Sequence, residues 1–185
     1  ALLVSFLTVW HGAESCLIRP HYLAYFNRVA GGPANGWRHL VDSSLDWGQD
    51  LPGLAKWLNR HAKHERAFLA YFGTGDPDHE GIRATRLPAL PEVGPERPWH
   101  PLSAGIYCVS ATMLQHVYSS VRGNWTLERE AEYQTLRPLE ALLLTYQHDP
   151  IRRAELLRDA PEVKWKTAWK RYEVLRFARL SHFLR

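Results

Sequence analysis

The densest group of side chains that could do chemistry lies between residues 42 and 50. It contains three carboxylates, one indole and one amide, namely Asp42, Asp46, Trp47, Gln49 and Asp50. Carboxylates can bind a divalent cation or the hydroxyl groups of a sugar, and an indole ring can stack on a sugar ring. The same residues also fit a structural loop, in which Asp42 and Asp46 accept hydrogen bonds from loop amides and Asp50 caps the next helix.

A second group of polar side chains follows the apolar run 67–72. It holds four side chains that are able to bind a metal ion, namely Asp76, Asp78, His79 and Glu80. Their spacing is not that of an EF-hand, and the preceding Gly-Thr-Gly is too short for a phosphate-binding loop. A solvated turn explains the same residues. If both groups lie at one edge of a sheet, they form one acidic pocket, in which Asp76 and His79 are further candidates for ligand contact.

The sequence lacks the motifs of several enzyme classes. It contains no GxSxG, HExxH or Walker A sequence, and Cys16 and Cys108 do not have the spacing of a metal site. We therefore predict no metal site and no cofactor in this chain. The two cysteines can pair in an oxidising compartment or remain buried free thiols, and the sequence leaves both options open.

Apolar runs and chain-breaking residues predict the elements that position these groups. The predicted strands are 37–41, 67–72 and 105–109. The predicted helices are 1–18, 51–61, 112–120, 127–137, 139–148, 151–158 and 161 to about 184. This order predicts an α/β fold with a small, mainly parallel three- to four-stranded sheet, flanking helices and a helical C-terminal layer over about 125–185. Ligands of open α/β sheets bind at the carboxyl ends of the strands, where both polar groups would lie.

The N-terminal segment 1–18 is apolar up to Trp10. The apolar run is shorter than the roughly 20 residues that span a bilayer, and it lacks the basic start and cleavage site of a signal peptide. We predict the end of a transmembrane or membrane-proximal helix, followed by one soluble domain at 19–185. Trp10 and His11 suit the membrane interface, where the run stops. The alternative is a buried helix of a trimmed soluble domain.

The basic charge of the chain lies in its last segment. The whole chain has a net charge of +4, and residues 162–185 carry seven basic and two acidic side chains, so the rest is slightly acidic. A basic surface for nucleic acid is therefore not predicted. An apolar arc in this helix can pack on the domain, or the helix can lie on an anionic membrane. The candidates for membrane contact are Lys164, Lys166, Lys170 and Arg171.

Several stretches resemble one known family. They are HYLAYFN at 21–27, AGGP at 30–33, NG at 35–36, LVDSSLDWGQDL at 40–51, AYFGT at 70–74 with DP at 76–77, and GIY at 105–107 with VSAT at 109–112. Over about residues 19–112 the chain resembles bacterial phospholipid-carrier-dependent membrane glycosyltransferases, which are similar to protein mannosyltransferases. The first long block is the most specific, and residues 125–185 add nothing to the resemblance.

The resemblance implies a C-terminal extracytoplasmic domain on the periplasmic or extracellular side. The whole enzyme would transfer a sugar from a polyprenyl-phosphate donor, with its catalytic acidic residue in an early loop outside this chain. We therefore expect no catalytic residue here. The expected partners are the transmembrane part of the same polypeptide, the membrane surface, and a glycan or protein acceptor, but no nucleic acid.

Three functions remain open from the sequence. The first is a non-catalytic domain that positions the acceptor or supports the membrane part, with Trp47 and its neighbouring carboxylates on sugar hydroxyls. The second is a stand-alone metal-assisted hydrolase that uses Asp42, Asp46, Asp76 and His79. The third is a structural membrane-surface module that binds through the final basic helix.

Overall fold

The computed structural model describes most of the chain. The described residues are 2–19, 22, 25–40, 45, 47–87, 100–149, 151, 155 and 162–184. Its helices are α1 (Leu2–Ile18), α2 (Pro33–Gly36), α3 (Leu51–His61), α4 (Ala111–Leu114), α5 (Leu127–Leu136), α6 (Leu139–His148) and α7 (Glu162–Leu184), with a 3-10 helix at Arg28–Ala30. Its strands are β1 (Ala67–Ala70), β2 (Thr85–Arg86) and β3 (Ile106–Val109).

The three strands form one parallel sheet in the order β2-β1-β3. All four residues of β1 are buried, as the continuous apolar run of a central parallel strand requires. Phe68 is paired with Thr85 on one side and with Tyr107 on the other. The sheet with its flanking helices and its C-terminal helix confirms the predicted mixed α/β fold.

Helices cover both faces of the sheet because side chains alternate along β1. On one face, Leu51, Ala55 and Leu58 of α3 join a buried cluster with Leu69. On the opposite face, Phe177 of α7 packs against a cluster around Phe68. The layers formed by α3 and α7 on the two faces therefore support the sheet from which the loops at the carboxyl ends of the strands extend.

A third cluster joins α7 to α5. It contains Tyr133 from α5 and, from α7, Trp169, Tyr172 and Leu175. The rings of Tyr133 and Tyr172 stack with their centroids 5.6 Å apart. This cluster forms the predicted helical C-terminal layer.

Trp37–Leu40 does not form the predicted strand. Pro33–Gly36 form a short helix, and the amides of Arg38 and His39 donate to the carbonyl oxygens of Asn35 and Gly36. Proline at the start of the helix and these turn bonds commit the segment to helical geometry. Val41, the last residue of that prediction, lies outside the described residues.

Other predicted boundaries differ in detail. The first buried strand ends at Ala70, two residues early, and the helix expected over 112–120 is only α4, followed by turns. The two-residue strand β2 was not predicted, because Thr85 and Arg86 have no apolar pattern of their own. The proline-rich stretch 88–99 is not among the described residues, and of 151–158 the structure describes only Ile151 and Glu155, both helical.

Candidate functional site

Two predicted polar loops meet at the carboxyl end of β1. Gly48 has a φ of 108°, and a Cβ atom there would lie 2.6 Å from the Tyr71 hydroxyl oxygen and 2.9 Å from Gly75 Cα. Such distances leave no room for any larger residue. The hydroxyl of Thr74 also donates to the carbonyl oxygen of Trp47 at 3.4 Å. The loop 47–50 therefore lies directly against the loop 73–76.

The Gln49 side chain closes its own loop. Its Oε1 atom accepts a hydrogen bond from the Trp47 backbone N–H at 2.8 Å, and its Nε2 atom donates to the carbonyl oxygen of Leu45. Both ends of the amide are engaged in the loop. Gln49 therefore holds Trp47 in place.

Asp50 stands immediately before α3, but its side chain makes no capping hydrogen bond to the helix. The predicted capping role is therefore wrong, although the predicted helix start is correct. Asp50 lines a cavity of about 530 Å³ between α3 and the sheet. Most of this cavity is apolar, with Trp37, Leu54, Trp57 and Leu69 among its walls.

The carboxylates of the second loop face another cavity. Asp76 and Asp78 line a space of about 420 Å³ beside Arg86. Asp76 Oδ1 accepts the Asp78 backbone N–H at 3.0 Å, and Asp78 Oδ1 lies 3.2 Å from Arg86 Nη2. His79 is exposed in the turn that follows. Asp50 and Asp76 thus belong to neighbouring loops without sharing a pocket.

The first two carboxylates of the acidic group, Asp42 and Asp46, fall in the part of the chain that the structure leaves undescribed. Within the described ranges, no three His, Cys, Asp or Glu side chains are grouped so that they could hold a metal ion. Cys16 and Cys108 are both free thiols, and burial raises the pKa of Cys108. The described residues therefore offer no observation in favour of metal-assisted hydrolysis.

Three aromatic rings come together at the same edge of the sheet. The ring centroid of Trp47 lies 6.4 Å from that of Phe72, which in turn lies 5.1 Å from that of Tyr118. Trp47 is 44% exposed and Tyr118 is 42% exposed. Sequence analysis identified Trp47 but missed Phe72 and Tyr118. Phe72 and Tyr118 belong to no recognisable sequence motif. Their positions, just after β1 and just after α4, nevertheless place them near a strand end.

Of the basic candidates in α7, the structure gives contacts for Arg171. Its guanidinium binds both carboxylate oxygens of Glu132 on α5, at 2.6 and 2.7 Å. This pairing lowers the pKa of Glu132 and raises that of Arg171. Lys170 is exposed, while the side chains of Lys164 and Lys166 lie outside the described part of α7. Arg171 therefore joins α7 to α5.

Helix α1 differs from the other described helices in how much of its apolar surface is exposed to solvent. Its seven large apolar side chains between Leu2 and Trp10 are each 53% to 89% exposed, and the first buried residue is Glu14. Among the described residues, no helix has both the length and the apolar character needed to cross a bilayer. Searches of family models, of curated proteins and of solved structures found no match to this chain.

Proposed function

We propose that this chain is a non-catalytic extracytoplasmic domain of a polyprenyl-phosphate-sugar-dependent membrane glycosyltransferase. It would sit on the membrane through α1 and position an acceptor or brace the membrane-spanning part. The family resemblance of residues 19–112 supports the enzyme class, and the exposed apolar surface of α1 carries the proposal for membrane attachment. The catalytic residue would belong to a part of the enzyme outside this chain.

Large apolar side chains cover most of the circumference of α1. At 3.6 residues per turn, positions 2, 3, 4, 6, 7, 9 and 10 occupy roughly 220° of it, and the remaining sector carries Ser5 and Thr8, whose hydroxyl donates to the carbonyl oxygen of Val4. A helix with so wide an apolar surface and no Asp, Glu, Lys or Arg before Glu14 belongs in a large protein core or in lipid. None of residues 2–13 is buried by the domain. Because burying one such side chain stabilises by about 1.5–3 kcal/mol, lipid contact along this run would give a strong attachment.

The second half of α1 belongs to the domain. Arg28 Nε lies 3.3 Å from Glu14 Oε1, and the side chain of Ile18 is buried. These contacts fix the end of the helix while its first ten residues project outward. Insertion of that projecting half would place the domain directly at the membrane surface, with Trp10 and His11 at the interface.

Vesicle flotation tests the attachment. The chain is mixed with neutral phosphatidylcholine vesicles, with and without the paired changes Leu3→Glu and Leu7→Glu. We expect the unchanged chain to float with the vesicles and the variant to stay behind, because two charges in the inserted half oppose burial in lipid. The matched control is Leu127→Glu with Ile151→Glu, which places the same charges at side chains that are 90% and 76% exposed elsewhere.

Salt separates apolar insertion from charge attraction. In about 1 M salt the screening length is about 3 Å, so binding through α1 should persist while binding through basic side chains should disappear. Flotation that needs anionic lipid and is lost in salt would contradict attachment through α1. It would favour the membrane-surface module that binds through the basic residues of α7.

The encoding gene tests the transferase part separately. The proposal expects, upstream of Ala1, a series of apolar segments of about 20 residues each, with an acidic residue in the first outer loop. A start codon or a signal peptide immediately upstream would contradict membership in such a transferase, and it would leave the result with vesicles unaffected.

A further inference from the structure

We propose that Trp47, Phe72 and Tyr118, here called the aromatic row, bind a neutral oligosaccharide. The inference rests on the proposed function, because it names the chemical class of acceptor that the domain would hold. It extends the sequence-based idea of one stacking indole to a site built from three separate parts of the chain.

The row consists of two exposed rings that each contact a third. Phe72 is partly buried, and its ring contacts that of Trp47, tilted by 53° to it, and that of Tyr118, stacked on it at 21°. The two outer rings are the exposed ones. Aromatic faces carry negative partial charge, which attracts the weakly positive C–H groups on the flat face of a sugar ring. Two such faces can contact two sugar units of one chain.

Backbone hydrogen bonds position Trp47 and Phe72, whereas the Tyr118 ring is held by one face against Phe72. The Gln49 amide and the Thr74 hydroxyl fix the backbone of Trp47. The backbone N–H of Phe72 donates to Ser110 Oγ at 3.2 Å, which ties the end of β1 to the end of β3. A site that is already ordered before binding loses less entropy when the ligand arrives.

The turn that carries Tyr118 contains an unusual backbone conformation. His116 has a φ of 57°, which a residue other than glycine rarely adopts. Its carbonyl oxygen accepts the N–H of Ser119, and its own N–H donates to the carbonyl oxygen of Met113. This reversal brings Tyr118 back over Phe72. Strained backbone of this kind is concentrated at binding sites.

The surrounding charge favours a neutral sugar over a phosphate-bearing ligand. Residues 47–50 and 71–78 contain three aspartates and no lysine or arginine. The third loop carries Arg122, whose Nε and Nη2 atoms donate to the carbonyl oxygens of Ser119 and Val117, so the backbone engages this guanidinium. Nucleic acids and sugar phosphates need several basic contacts, and these three loops offer only this one arginine. The Thr74 hydroxyl and the carbonyl groups of the loops can instead form hydrogen bonds with sugar hydroxyls. The row therefore fits an uncharged glycan.

Calorimetric titration with cellohexaose and with chitohexaose tests the site. Both are neutral sugars whose rings have flat C–H faces. We expect the unchanged chain to bind at least one of them. Trp47→Ala and Tyr118→Ala should each weaken binding about tenfold, while Tyr118→Phe, which keeps the ring, should retain it. The matched controls are Trp57→Ala and Tyr25→Ala, which remove rings that are 47% and 43% exposed outside the row.

Two results would overturn the proposal. One is that neither oligosaccharide binds the unchanged chain at about 10 mM, a concentration that would reveal even very weak affinity. The other is that the row variants and the control variants bind equally. Vesicle flotation through α1 does not depend on the aromatic row. If the chain floats with vesicles but binds neither oligosaccharide, the glycan site is rejected and the proposed membrane attachment stands.

Discussion

The two longest of the described helices, α1 and α7, differ in composition and in surroundings. Both contain leucine and aromatic residues and both are candidates for membrane contact on sequence alone, but among Asp, Glu, Lys and Arg α1 has only Glu14, whereas α7 has eight such residues. In α7, Tyr172 and Leu175 are completely buried, and in α1 no residue before Glu14 is buried. The domain therefore buries the middle of α7 and leaves the more apolar first half of α1 exposed.

The difference lies in what each helix packs against. In α7 all five residues from 172 to 176 are buried, as are Trp169, Ala178 and Ser181, so burial is spread around the helix. Residues of α7 pack against α5 in one cluster and against the sheet in another. In the first half of α1, large apolar side chains cover most of the circumference, and none of them is buried by the domain. The domain therefore encloses α7 and leaves the apolar half of α1 without a protein surface around it.

Charged residues sharpen the same contrast. Arg176 and Arg179 interrupt the apolar arc of α7, yet each has an acidic partner. Arg176 Nη1 lies 3.2 Å from Glu173 Oε1, and Arg179 Nε lies 2.8 Å from Glu130 Oε2. Arg176 also donates to the carbonyl oxygen of His100. The domain therefore supplies partners for the charges that would oppose burial of α7 in lipid.

The largest effect should follow from removing the buried guanidinium. Arg176→Ala leaves the Glu173 carboxylate, which is only 7% exposed, without its neighbouring positive charge. Breaking a buried ion pair in this way costs about 3–5 kcal/mol of unfolding free energy. Denaturant unfolding of the variant measures the loss. As a control, Glu173→Leu with Arg176→Met should cost clearly less, and an equal loss would show that packing, not charge, sets the effect.

A direct comparison of two leucines should give the next effect. Leu175→Ala in α7 opens a cavity in the core and should lower the unfolding free energy by about 2–5 kcal/mol. Leu7→Ala in α1 removes a side chain that is 54% exposed, so in the absence of lipid it should change stability by less than about 0.5 kcal/mol. If both variants lose the same free energy of unfolding in denaturant, Leu7 is packed in solution, and the contrast between a buried α7 and an exposed α1 is wrong.

The smallest effect should appear as a dependence of stability on pH. Hydrogen bonds from Arg179, Gln134 and Trp125 lower the pKa of Glu130 from 4.5 to about 2. Because the folded pKa is the lower one, this carboxylate stabilises the fold above pH 4.5, and the contribution is lost as the pH falls toward about 2. The free energy of unfolding, measured as the pH is lowered across this range, should decline less steeply for Glu130→Gln than for the unchanged chain. Glu128→Gln, an exposed change in the same helix, serves as the control, and identical slopes for both variants would contradict the prediction.

The buried elements were predictable because their residue patterns report burial directly. The continuous apolar run of β1 and the apolar spacing of α3 and α7 predicted those elements at nearly correct bounds. Trp37–Leu40 was predicted incorrectly because apolar residues outweighed the turn-forming Pro33–Gly36 segment before it. Residue propensities in a short segment do not show whether the strand-forming or the turn-forming residues determine its structure.

The candidate site was predictable in position and not in composition. Both polar loops do meet at the carboxyl end of β1, since Gly48 packs against Gly75, although the strand 37–41 that was expected to position the first loop does not form. The direction of each carboxylate depends on the loop backbone, so Asp50 and Asp76 came to line separate cavities. The aromatic row depends on a reversal at His116, and no pattern in the sequence specifies a positive φ there.

The measurement that most directly tests the account is hydrogen exchange of the whole chain with and without neutral phosphatidylcholine vesicles. If α1 is the membrane-contacting helix, backbone amides within residues 2–10 should exchange more slowly when lipid is present, since lipid excludes water from the helix. Amides of α7, already buried in the domain, should exchange at an unchanged rate. Protection that appears in α7 while residues 2–10 stay unaffected would contradict the account.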